Sequence, residues 1–206
     1  MLSIFNQGSF RNICDDLKTR DADLAYIIDT YSYPPMWTRP NTFETLVHII
    51  LEQQVSLASA LAALNKLKEK IGEVTPEKVL ALTDEEMKAA YFSRQKMGYV
   101  RYLAQAIIRQ HIDLEKLALL PDEEVRAILV TLKGVGNWTV DVYLMFALQR
   151  ADLFPIGDLA AVNALKRIKN LPKDTPRESL QSIARTWQPY RTIATMILWH
   201  FYLSAQ

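Results

Sequence analysis

Cysteine occurs once in these 206 residues, at Cys14. A single thiol excludes an internal disulfide and any Cys-clustered zinc or iron–sulfur centre, and Cys14 reads as a buried or idle thiol in a reducing compartment. Long apolar runs are missing too, since no window approaches the roughly 18 residues needed to cross a membrane. The start carries no basic segment leading into an apolar stretch and a small-residue cleavage site, so no secretion signal is expected. Glycine is scarce, at 6 residues. Strand-type alternation is sparse, and neither a repeat nor a low-complexity stretch occurs. Leu, Ala, Ile, Lys and Glu are abundant, and they favour helix. An all-α chain is expected, long enough to bury a sizeable core as one unit or two small lobes packed together.

Charge of one sign is also lacking. With 24 basic and 23 acidic residues the net charge is +1, whereas a nucleic-acid binder should present a positive face. Balanced totals still allow a local patch. Lys133, Arg150, Lys166, Arg167, Lys169, Arg185 and Arg191 would form one if the acidic stretches at 84–86 and 122–124 faced elsewhere.

Apolar periodicity and cap residues divide the chain into helices. They are expected over 21–31, from Asn41 or Thr42 to 53, from Ser56 to 71, and over 76–82, 84–92 and 95–110. Further helices are expected over 121–132, 138–148, 158–168, 175–186 and 189–203. Tyr33-Pro34-Pro35 breaks the first of these, and Pro76 directly after Thr75 is a sound helix start.

The most informative stretch is Leu132-Lys133-Gly134-Val135-Gly136-Asn137-Trp138-Thr139, two glycines between helical patterns. It is either a tight joint between helices or a turn that aims the N–H groups of the next helix start at an anion. Trp138 by itself reads more readily as core than as a ligand platform. Asp158 after Gly157 reads as a helix N-cap, a position from which a carboxylate can still face a cleft. Asp141, one turn beyond Trp138, could cap, pair with an arginine or face a pocket.

The run LKGVGNWTVDVYLMFAL followed by DLFPIGDLA resembles the helix–hairpin–helix and Gly/Pro-rich-plus-aspartate region of the DNA glycosylase superfamily. Its nearest branch is that of the 3-methyladenine glycosylase II enzymes of alkylation repair. PNTFETLVHIILEQQVSLASA at 40–60, SRQKMGYVRYLAQAI at 93–107 and WQPYRTIATMILWHFYL at 187–203 extend the resemblance in consistent order. The resemblance implies an all-helical, two-lobed fold, with approximate lobes 36–110 and 1–35 plus 111–206. It implies catalysis by Asp158 and DNA contact through Lys133, Gly134, Val135, Gly136, Asn137 and Thr139. It also implies a Na+ or K+ ion held by hairpin carbonyls, with ligands unspecified and no other cofactor required.

Members that cut the backbone through a Schiff base carry lysine where Trp138 stands. An indole is no amine nucleophile, so the resemblance implies a monofunctional glycosylase that uses water. Trp138, Trp187 and Tyr190 are candidate walls of a pocket for a cationic alkylated purine, with Trp37 and Phe43 as further candidates. By themselves Gln53 and Gln54 read as a polar connection between helices, whereas the resemblance implies that this turn lies on the DNA minor-groove side, where a side chain fills the gap left by an extruded nucleotide. Some relatives have leucine in place of Gln54, which leaves the wedge assignment open. The expected activity is release of 3-methyladenine or 7-methylguanine from double-stranded DNA during base-excision repair. The expected enzyme is a monomer, in the cytoplasm of a prokaryote or the nucleus of a eukaryote. Two alternatives stand beside it: a glycosylase for a deaminated or oxidised base, and a non-enzymatic hairpin-type DNA-binding protein.

Overall fold

The computed structural model describes residues 3–205. Among them lie thirteen α-helices and no strand, and the one β-type pairing is an isolated bridge between Ile4 and Arg150. The chain divides into two compact units, Met1–Thr38 with Leu144–Gln206, and Arg39–Tyr143. We call them the Asp158 unit and the hairpin unit.

The Asp158 unit contains α1 (Gln7–Arg20), α2 (Ala22–Tyr31), α11 (Leu159–Ile168), α12 (Arg177–Arg185) and α13 (Arg191–Ser204). Helix α1 was not anticipated, although Asn6 and Ser9 form a capping box and Phe10, Ile13, Cys14 and Leu17 follow helical spacing. Its strongly polar remainder obscured that short stripe. Helix α13 is central, packing on α1, α2 and α11. It is apolar nearly all round, burying eight residues from Thr192 to Phe201, as a core helix must.

The hairpin unit contains α3 (Phe43–Glu52), α4 (Leu57–Ile71), α5 (Pro76–Leu80), α6 (Asp84–Ala89), α7 (Arg94–Ile108), α8 (Leu114–Leu119) and α9 (Asp122–Leu129). It also holds most of α10 (Asn137–Phe146), within which the division between units falls. Thr42 rather than Asn41 caps α3. The Asn41 amide is used elsewhere, donating to the Leu114 carbonyl at 2.8 Å while its oxygen accepts from the Tyr143 hydroxyl at 2.6 Å. Helix α7 packs on α3, α5 and α6. Helix α8, capped by Asp113, was also not anticipated.

One expected boundary needs correction. A lobe ending at residue 110 would separate the hairpin from α3 and α7, yet all of them lie in one unit. The reason is local: α3 and α7 each send a side chain onto Gly134, as described next.

Candidate functional site

In the hairpin unit, α9 ends at Leu129, and the chain turns through Leu132–Gly136 before α10 begins. The Val135 N–H donates to the Leu132 carbonyl at 3.0 Å, which closes the turn. Gly134 sits at φ +86°, in the left-handed region where a side chain is strained. A Cβ there would lie 2.1–2.4 Å from three ring carbons of Tyr99, so the Tyr99 ring rests directly on the glycine. Gly136 differs, because a Cβ on it would meet nothing within 4 Å. The first bond of the α10 ladder runs from the Val140 N–H to the Gly136 carbonyl at 3.1 Å. The amides of Asn137, Trp138 and Thr139 therefore precede that ladder and form the helix's positive end.

Side chains around the turn separate into inward and outward sets. Lys133, Gly136 and Asn137 are exposed, Trp138 is half-buried, and Val135 and Thr139 are buried. Val135 and Thr139 are thus internal by side chain and face outward by main chain at most. Gln53 was expected on DNA, but its amide Nε2 instead donates to the Gly134 carbonyl and to Thr139 Oγ1, both at 2.9 Å. Its neighbour Gln54 stands at φ +58° and is exposed. Arg126 donates to Asp141 Oδ1 at 2.6 Å and to Asn137 Oδ1 at 3.3 Å, pinning the start of α10. Burial pushes the Asp141 carboxyl up, and Arg126 opposes that shift only in part. Of its open roles, Asp141 takes the arginine pair.

In the Asp158 unit, Asp158 caps α11 by accepting from the Ala161 N–H at 2.8 Å. The same oxygen, Oδ1, accepts from the indole N–H of Trp199 at 3.0 Å. Trp199 is flanked edge-on by Trp37 at 6.3 Å and Phe146 at 5.5 Å between ring centroids. A half-buried carboxylate thereby stands in an aromatic bed. The 150–157 loop that delivers Asp158 is clasped to α13. Thr192 Oγ1 donates to the Arg150 carbonyl at 2.6 Å and accepts from the Leu153 N–H at 3.1 Å, while the Arg191 guanidinium grips Asp152.

Trp199 and Phe146 were not among the expected pocket residues. Their signal was present as aromatic residues on α13 and α10, but sequence does not reveal which rings meet. Two expected pocket residues are corrected. Trp187 is fully buried, and its Nε1 donates to Asp21 Oδ2 at 2.7 Å, making it an internal anchor. Phe43, 6% exposed, lies in the core of the hairpin unit. Tyr190 is half-buried and packs on the core of the Asp158 unit, where Trp37 also packs.

The expected basic patch is largely consumed internally. Arg150 is buried, Lys169 bridges Asp21 and Asp23 at 3.0 and 2.8 Å, and Arg191 is held by Asp152. Arg167 donates to the Ala205 carbonyl and stacks over Phe201, and Lys166 donates to the Lys173 carbonyl. Among the described residues no His/Cys/Asp/Glu cluster suits a metal, and no helix is long and apolar enough to cross a membrane.

A family model described as "HhH-GPD superfamily base excision DNA repair protein" matches residues 47–189. A putative DNA-3-methyladenine glycosylase of Bacillus subtilis, YfjP, is 26% identical over 85% of the chain, which spans 64% of that relative's length. DNA-3-methyladenine glycosylase 1 of Schizosaccharomyces pombe is 29% identical, covering 85% of this chain and 79% of its own. The solved structure of the S. pombe 3-methyladenine DNA glycosylase Mag1 in complex with abasic DNA superposes with a TM-score of 0.82 at 28% identity. That match covers 91% of this chain and 95% of the other.

Proposed function

The chain belongs to the HhH-GPD superfamily of base-excision DNA repair proteins, and from that membership we propose that it is a monofunctional DNA glycosylase acting on alkylated purines. The observation that carries this reading is the Asp158 carboxylate, held by the α11 amide and the Trp199 indole and bedded on Trp37 and Phe146 through Trp199. The substrate is a purine alkylated at N3 or N7, such as 3-methyladenine or 7-methylguanine, in double-stranded DNA. Alkylation makes the base cationic, hence a good leaving group and a partner for electron-rich rings.

The nucleotide must leave the stack before its C1′–N bond is reachable. As that bond breaks, its electron pair departs with the base and positive charge grows on the sugar. Asp158 stabilises that charge, and water oxygen then bonds to C1′ and loses a proton to the carboxylate or to solvent. The electrostatic role dominates because the leaving group is already activated. Trp138 offers no amine for a Schiff base, so the product is a free base and an intact backbone.

Phosphates meet the main-chain amides around Gly134 and from Gly136 to Thr139, while the Val135 amide closes the turn on the Leu132 carbonyl; exposed Lys133 and Asn137 lie beside them, and Gln54 fills the emptied stack. The hairpin carbonyls are the donor type for Na+ or K+. Those of Leu132 and Gly134 each accept one hydrogen bond and keep a second lone pair. Such an ion would neutralise a phosphate and take no part in bond breaking. The enzyme acts as a monomer, in the cytoplasm of a prokaryote or the nucleus of a eukaryote.

The deciding experiment is base release from methylated duplex by wild type and Asp158→Asn, with the liberated base identified. Asparagine preserves the cap, so folding and abasic-DNA binding are retained while release falls by about 100-fold or more. Equal rates would remove Asp158 from the chemistry. Release of an oxidised or deaminated base alone would move the substrate class.

A further inference from the structure

Consecutive glutamines leave the C-terminus of α3 in opposite directions. Gln53 is the helix C-cap, its own N–H donating to the Ile50 carbonyl at 3.3 Å. Its side chain runs inward to the hairpin, where one NH2 group spans the Gly134 carbonyl and the Thr139 hydroxyl. Those acceptors lie on the two sides of the turn, one before and one after the start of α10. Gln54, thrown into the left-handed region, points the next side chain outward. A main-chain step of one residue therefore separates the group that holds the hairpin from the exposed tip of the turn.

The hairpin is held from α7 as well. The Tyr99 ring covers Gly134, and its hydroxyl is hydrogen-bonded by Gln95. Gly134 thus has its α-carbon against a ring and its carbonyl on an amide, which fixes the direction of its peptide groups. An amide hydrogen bond stretches or breaks within a few tenths of an ångström, so α3 cannot shift along the hairpin without losing both bonds.

We propose that Gln53 is a positioning residue that fixes the distance between the Gln54 turn and the phosphate-facing amides, so that both engage DNA as one rigid unit. This rests on the reading of the hairpin as the DNA-binding element. Gln53 itself does not touch DNA. Its amide acts through the hairpin, and its backbone acts through Gln54.

The test uses Gln53→Met, which keeps the length of the side chain and removes both donors, and Thr139→Val, which removes one acceptor. The probes are an undamaged duplex and a duplex with an abasic analogue flanked by 2-aminopurine. Gln53→Met should weaken binding to both by about tenfold and flatten the dependence of log K on log salt by about 0.9, the equivalent of one phosphate. The 2-aminopurine signal of turn insertion should shrink with it. Gln54→Ala should lose that signal while keeping the salt slope.

Thr139→Val should show part of the Gln53→Met effect, and the double variant should show no more than Gln53→Met alone. Fully additive effects would mean that Gln53 contacts DNA directly, which overturns the proposal. So would a lowered Tm with slope and fluorescence unchanged, since that is the mark of a purely structural bond. Wild type that binds duplex and inserts its turn but releases no base would remove the glycosylase reading and leave this test intact. Failure of wild type to bind duplex at all would overturn both.

Discussion

The indole N–H of Trp199 and the main-chain N–H of Ala161 converge on one oxygen of Asp158, at 3.0 and 2.8 Å. A carboxylate held by two donors on the same oxygen has its plane and rotamer set before any ligand arrives. The helix supplies one donor and a favourable dipole, and α13 supplies the other from a distant part of the sequence. Orientation of this kind is what a group stabilising developing charge requires, because reorganisation then costs little at the moment of reaction.

Trp199→Phe separates the donor from the ring. Phenylalanine keeps an aromatic surface for Trp37 and Phe146 but cannot donate to Asp158. We expect single-turnover base release to fall by about tenfold, the scale of one hydrogen bond to a charged group. Abasic-DNA affinity should change less than threefold. A rate equal to wild type would show that the Trp199 bond is not needed to orient the carboxylate.

The two hairpin glycines should fail in different ways. Gly134→Ala forces a Cβ into the Tyr99 ring at a left-handed φ, and should cost more than about 2 kcal/mol by strain and overpacking together. Chemical denaturation reads this directly, and adding Tyr99→Ala should recover part of the loss. Gly136→Ala has open space, so the fold should stand. Only the close approach of a phosphate is then obstructed, and duplex affinity should fall with Tm unchanged. If Gly136→Ala unfolds the protein and Gly134→Ala does not, the assignment of space around the turn is wrong.

Trp187 should be a determinant of stability rather than of substrate choice, with a pH signature. Burial alone would push the Asp21 carboxyl up, but hydrogen bonds from Trp187 and Lys169 outweigh it and hold it below its ordinary value of 3.8. A depressed carboxyl stabilises the fold above the unfolded-state pKa and loses that contribution as pH falls through the folded-state value. Trp187→Phe should therefore cost about 1.5–3 kcal/mol at neutral pH, and the gap to wild type should begin to narrow below about pH 4 and close as pH falls through the lowered folded-state value. Urea unfolding followed by circular dichroism at several pH values checks this. A gap independent of pH would point to lost packing alone.

Lys169 is the complementary half of that network. Burial would lower its ammonium, yet the bonds to Asp23 and Asp21 leave it raised above 10.5. By the same linkage its contribution is complete below that value and fades in alkali.

Much of this protein was legible in the chain alone. Helices were readable because caps and apolar spacing act within a few residues, as at Ser56 and Thr75. Gly134 and Gly136 marked a turn, and Asp158 marked a helix start, because a left-handed φ and an exposed N-terminus are local demands. Membership of the glycosylase superfamily followed from blocks of residues in order.

Contacts between distant segments were not legible. Trp187, Trp199 and Trp37 are chemically alike, and only packing decided that the first is sealed against Asp21 while the others gather near Asp158. Lys169, Arg150 and Arg191 count as positive charge in a sum, but the fold ties Lys169 and Arg191 into internal ion pairs and buries Arg150. Gln53 and Gln54 are the same residue twice, and the sign of one backbone angle turned one to the hairpin and the other to solvent. The sequence by itself determined which elements form, since those energies are short-range. Tertiary structure alone decided which side chains meet, because burial and hydrogen-bond partnership depend on neighbours from anywhere in the chain.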